Sequence, residues 1–100
     1  KNPRSPSSQS NIAYFDFDKL EQPLLLRTWQ KGDWFIPFGM KGRKKLSDYF
    51  SDHKFSRLDK ERAWLLCSGD AIIWIVGERS DNRYRVDKTT KRVLVVKFSR

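Results

Sequence analysis

One cysteine and one histidine among 100 residues exclude an internal disulfide and leave no Cys/His set for a zinc knuckle. A lone thiol suits a reducing cytoplasm, the expected location. Long apolar runs are also missing. The longest, residues 71–76, is far short of the ~20 residues that span a bilayer, so no membrane partner is expected. Glycine is scarce, and Gly32, Gly39, Gly42, Gly69 and Gly77 form no G-x-G-x-x-G. Gly39 and Gly42 stand too close together for a P-loop. His53 has no Ser or Cys partner at a catalytic spacing and falls on the apolar face of a helix, which suits a packed, hydrogen-bonded role. Cys67 lies in an apolar stretch and reads as a small core side chain. Asp48, Asp52, Asp59 and Glu61 have the spacing of helix-surface acids that pair with neighbouring cations, not of a metal or catalytic cluster. Catalysis, resident cofactor and metal are all expected to be absent from this chain.

What is abundant is positive charge and aromatic surface. Twenty-one Lys+Arg against twelve Asp+Glu leave a net charge of +9, which favours a polyanionic partner, nucleic acid first. Four tryptophans and seven phenylalanines supply a core that disordered chains lack. Trp34, Phe35 and Tyr84 fill that core or, if exposed, stack on unpaired bases.

Residues 1–10, with Pro3, Pro6 and four serines, read as a linker, and residues 11–100 as one domain. Strands are expected at residues 11–17, 24–29, 34–38, 64–67, 71–76 and 92–98. Pro37 marks an edge or a strand end. The wholly apolar segment 71–76 calls for cover on both faces. Leu46, Tyr49, Phe50 and His53 recur at i, i+3, i+4 and i+7, one face of a first helix. A second runs over about 58–63, with Ser56 as N-cap. Residues 77–92 are charged and irregular, with one helical turn near Tyr84. The fold class is α+β: about six short strands in a small mixed sheet or sandwich, with two short helices.

The most informative segment is 32–45. Lys41, Arg43, Lys44 and Lys45 follow Gly39 and flank Gly42, and glycines let a backbone approach phosphates while the cations bond their oxygens. The loop runs into a helix start, itself attractive to phosphate. Lys54, Arg57, Lys60 and Arg62 extend the basic surface. On its own this pattern fits either a phosphate-binding loop or a solvated one.

The run Leu26-Arg27-Thr28-Trp29-Gln30-Lys31-Gly32-Asp33, followed by Pro37-Phe38-Gly39-Met40-Lys41-Gly42-Arg43-Lys44-Lys45-Leu46-Ser47-Asp48-Tyr49-Phe50, resembles the C-terminal domain of bacterial tRNA(Ile)-lysidine synthetase. The likeness covers roughly residues 12 to 98. One departure is visible: Phe55 is followed by Ser56 where a proline is usual in the family. The resemblance implies a parent ligase that uses ATP to join lysine to the wobble cytidine of an isoleucine tRNA. ATP, lysine and Mg then belong to an N-terminal catalytic domain with an S-G-G-x-D-S loop, which these residues lack. It implies a β-sandwich of unusual topology that docks the tRNA acceptor stem. Carried over residue by residue, the tRNA-binding candidates are Arg27, Lys41, Arg43, Lys44, Lys45, Lys54 and Arg62, with Asp33 holding the turn. The partners so implied are tRNA(Ile) and the catalytic domain of the same chain, with a homodimer possible. The alternatives are a structural or dimerisation module of that enzyme and a generic basic RNA-binding domain.

Overall fold

Strand β6 (Ala71–Ile75) is apolar at every position and lies at the centre of the molecule, described over residues 11–99 by a computed structural model. The linker expected at residues 1–10 lies outside the described residues. β6 forms an antiparallel hairpin with β5 (Leu65–Ser68), turning at Gly69, whose φ of +57° is costly for other residues. Outside the hairpin run β2 (Leu24–Arg27), beside β5, and β7 (Arg79–Ser80), beside β6.

Side chains of this central sheet point alternately to two cores. Leu65, Cys67, Ile72 and Ile75 join Phe35, Leu46, Tyr49 and Phe50 on one side, while Leu66, Ile73 and Trp74 join Ala13 and Phe15 on the other. The register shifts between Leu66 and Cys67. The extra residue on β6 lets Ile73 and the adjacent Trp74 serve the same core.

The first core is capped by β3 (Trp34–Phe35), its antiparallel partner β4 (Lys44–Lys45) and helix α1 (Leu46–Asp52). Helix α2 (Arg57–Arg62) follows and buries none of its residues. The second core is capped by β1 (Ile12–Asp16) paired antiparallel with β8 (Val93–Lys97). Phe15, Phe35 and Phe50 are fully enclosed, and each such side chain contributes roughly 1.5–3 kcal/mol by leaving water. The double cover expected over residues 71–76 is what the layers supply to β6.

The α+β class with two short helices is observed. Pairing is antiparallel throughout, however, not mixed, and the described residues hold eight strands instead of six. The additional β4 and β7 are two residues each, and both consist of charged or polar side chains with no alternation to read. The strand expected at 24–29 stops at Arg27, where the side chain turns to bind Asp33. That expected at 34–38 shrinks to Trp34–Phe35, and buried Pro37 makes only a single bridge to Asp81.

His53 is also placed differently from its expected apolar position. It is exposed, stacks on Tyr49 at 4.0 Å, and ends α1 with Nδ1 2.9 Å from the Tyr49 carbonyl oxygen. The helix stops one residue too early for a fourth apolar position. Cys67 is buried as expected, and burial pushes its thiol up. Ser56 caps α2: its hydroxyl accepts from the Asp59 amide at 3.0 Å, and the Asp59 carboxylate accepts from the Ser56 amide at 2.8 Å. Ser56→Ala is expected to lower unfolding stability by about 1 kcal/mol in urea titration, with an unchanged denaturant slope.

Candidate nucleic-acid interface

The candidate interface is built on the β3–β4 ribbon. Phe35 points into the core opposite Lys44, and Trp34 stands on the other side opposite Lys45. Between the strands, residues 36–43 make a loop whose turn is closed by the Met40 amide donating to the Pro37 carbonyl at 2.8 Å. Gly39 there has φ +86°, and its amide faces Asn82.

A second segment lashes this loop to the sheet. The Asn82 side chain accepts from the Gly39 amide and donates to the Met40 carbonyl, each at 3.0 Å. Arg79 Nη2 donates to the Phe38 carbonyl at 2.7 Å, and the Phe38 amide donates to the Ser80 carbonyl at 2.9 Å. Beneath lies Asp81, with no exposed surface. Its carboxylate accepts from the Ile36 amide at 2.9 Å, the Arg83 amide at 2.7 Å, and Arg83 Nε and Nη2 at 2.9 Å each. A buried carboxylate needs such partners, because an unpaired one is costly in a low-dielectric interior. The result is a basic loop held in one shape by donors and acceptors from residues 79–83.

Each sequence candidate has a definite place. Lys41, Arg43 and Lys45 are exposed, and none has an ion-pair partner among the described residues. Lys44 is half-buried, and its ammonium binds Asp52, drawing that carboxyl below the usual range. Arg27 is committed to Asp33 by two parallel bonds of 2.9 and 3.0 Å. That hydrogen bond holds its guanidinium pKa above the ordinary value. Burial raises the Asp33 carboxyl, but the Arg27 guanidinium and the Gln30 amide outweigh it and leave the group below its normal value. The turn at Gly32 is fixed by these bonds, as expected of Asp33. The Asp33 carbonyl also accepts the Leu46 amide at 2.9 Å, so the start of α1 is already engaged.

Lys54 and Arg62 form a second group. Lys54 follows α1 in a left-handed conformation (φ 59°), Arg62 ends α2, and both are exposed. They line one open depression together with His53 and the half-exposed Trp64.

Sequence reasoning misses Asp81, Asn82 and Arg83, which sit in the stretch read as irregular. The available signal is the pair of turn-forming side chains, Asp81-Asn82, directly before an arginine. Trp34 also differs from its expected roles. It is half-buried, with the guanidinium carbons of Arg43 and Arg83 lying 4.0 and 4.7 Å from its ring centre. Arg83 lies 5.3 Å from Tyr84 as well, and Phe35 has no exposed surface. Among the described residues no group of three or more His, Cys, Asp or Glu could hold a metal ion. No described helix is long and apolar enough to cross a membrane.

Known proteins are similar to this chain in sequence and in fold. A tRNA(Ile)-lysidine synthase of Parabacteroides distasonis is 78% identical over 87 residues, covering 87% of this chain and 20% of that protein. Its counterpart in Bacteroides thetaiotaomicron is 56% identical, covering 90% of this chain and 21% of that protein. The chain thus spans about a fifth of the length of these curated relatives. The crystal structure of a TilS C-terminal domain superposes with a TM-score of 0.72 at 21% identity, covering 91% of this chain and 73% of that one. An N-terminal fragment of the phenylalanyl-tRNA synthetase β-subunit from Pyrococcus horikoshii gives 0.69 at 27% identity, over 84% of this chain and 26% of that one. Residues 24–96 match the family described as the TilS substrate C-terminal domain, from β2 to the penultimate residue of β8, and the chain belongs to that family.

Proposed function

We propose that this chain is the tRNA-docking part of a tRNA(Ile)-lysidine synthase, binding the acceptor-stem backbone while the chemistry proceeds elsewhere in the enzyme. The observation that carries this reading is the lashed loop. Lys41, Arg43 and Lys45 are held out by a frame fixed through Asn82, Arg79 and Asp81, and none is neutralised by a described carboxylate. A-form RNA hides its major-groove base edges, so a rigid basic surface recognises its shape, 2′-hydroxyls and phosphates. Arg27 and Lys44, each paired with a carboxylate, contribute by fixing the turn and β4 against α1. Lys54 and Arg62 extend the interface to a second stretch of backbone. In this reading ATP, lysine and Mg are used by the catalytic domain of the same chain, in the cytoplasm. The docking domain supplies orientation, so that a large substrate presents its anticodon correctly.

A second reading, a packing or dimerisation module, is favoured by one observation. The outer face of β1–β8 leaves Tyr14, Val93 and Val95 about half exposed, beside Phe38 and Val86. Titrating the chain with isoleucine tRNA and with an acceptor-stem minihelix separates the two. Docking predicts saturable binding of both at ~50 mM salt, weakened by Lys44→Ala with Lys45→Ala. Absence of binding to either RNA overturns it and leaves the packing module.

A further inference from the structure

We infer that Trp34 is a platform that pre-orders Arg43 and Arg83 to grip neighbouring phosphates of one RNA strand. This rests on the docking reading and adds to it Trp34, Arg83 and, through Arg83, the positioning residue Asp81.

The two guanidinium groups share one indole but differ in their other partners. Arg83 binds Asp81 through Nε and Nη2, which fixes its orientation and leaves the Nη1 edge uncommitted. Arg43 is exposed and has no hydrogen-bond or ion-pair partner among the described residues, and its guanidinium carbon lies 4.0 Å from the Trp34 ring centre. Lys45 stands opposite Trp34 in the β3–β4 ladder. Three cations therefore gather at one side chain, and Asp81 is the one described carboxylate ion-paired with any of them. Of the two others lining the depression beside Trp34 and Arg83, Asp33 is taken up by Arg27, and Asp70 leaves the cations in excess. Such a site favours an anion with several acceptor oxygens.

The chemistry selects phosphate over base. With two guanidinium groups within 4.7 Å of its centre, the indole is occupied by cations instead of presenting an open ring to a nucleobase. An arginine lying on an aromatic ring has already given up rotamer freedom that a free side chain surrenders on binding, so its planar donor edge is closer to the bound geometry. Lysine at the same place carries equal charge but neither the fork of donors nor the planar stack. A platform therefore has a signature that charge alone does not.

The test uses the chain with an acceptor-stem minihelix over a salt series. Arg43→Lys keeps the charge, and Arg43 is exposed, so the fold is retained. It is expected to weaken binding about fivefold with an unchanged salt slope. Arg43→Ala should weaken it further and make the slope shallower by about one. Trp34→Leu, checked for folding by circular dichroism, should match Arg43→Lys with all charges present, and Trp34→Phe should fall between it and wild type. Arg43→Lys and Trp34→Phe binding like wild type while Arg43→Ala is weak overturns the platform and leaves docking by charge. Arg43→Ala binding like wild type also overturns it. A wild-type chain that binds no RNA overturns the docking reading itself, and the platform with it.

Discussion

Asp81→Asn is expected to lower the unfolding free energy by about 3 kcal/mol, although the side chain keeps its shape. The carboxylate is fully buried and accepts four bonds, one from Ile36 and three from Arg83. An amide has one acceptor oxygen, so its NH2 must face two donors, either the Ile36 amide with Arg83 Nη2 or the Arg83 amide with Arg83 Nε. The substitution opens no cavity, so the loss measures unpaired donors and a half-buried guanidinium left without its counter-ion. A urea titration should show a lower midpoint with a nearly unchanged slope. Asp52→Asn makes the contrasting control. It removes another ion pair, with Lys44, at an exposed carboxylate, and the midpoint should stay where it is. The difference follows from burial, since solvent screens one pair and not the other.

The second large effect concerns binding. Converting Lys41, Arg43 and Lys45 together to alanine is expected to weaken tRNA affinity by about two orders of magnitude at ~50 mM salt. It should also make the plot of log affinity against log salt shallower by about 2 to 3, near one for each phosphate no longer neutralised. Thermal stability should change little, because none of the three has a described ion-pair partner and the loss of the Arg43–Trp34 stack is offset by relief of repulsion in a chain of net charge +9. A large affinity loss with an unchanged slope would mean that these side chains act through shape and not by neutralising phosphates.

How far the sequence predicts such behaviour depends on whether a feature is local. The apolar run in β6, the spacing of Leu46, Tyr49 and Phe50, and the Ser56-to-Asp59 cap are each contained in a few residues, and all are visible without coordinates. The basic loop is equally plain. Its rigidity is not, because Asn82 reaches Gly39 and Met40 across more than 40 positions, and Asp81 reaches Ile36 across 45. β4 is hidden for another reason: two lysines in a row offer no alternation, and only their partners Trp34 and Phe35 make them a strand. Arg27 matches the family's motif but spends its guanidinium on Asp33, a pairing that spacing alone leaves open. Trp34 lacks any local sign that Arg43, from the end of its own ribbon's loop, and Arg83, from a distant segment, lie against its ring. Local periodicity gives the elements, while the candidate interface joins the 34–45 ribbon to residues 79–83, far away in the chain.

RNA is expected to sit on the lashed loop and not on the apolar face of β1–β8. Amide and arginine side-chain NMR shifts of the chain, followed while the acceptor-stem minihelix is added, test this most directly. Docking predicts that the largest changes fall on residues 39–45, Asn82 and Arg83, with smaller ones at Lys54 and Arg62. Changes concentrated on Tyr14, Val93 and Val95, with the loop unmoved, would contradict it.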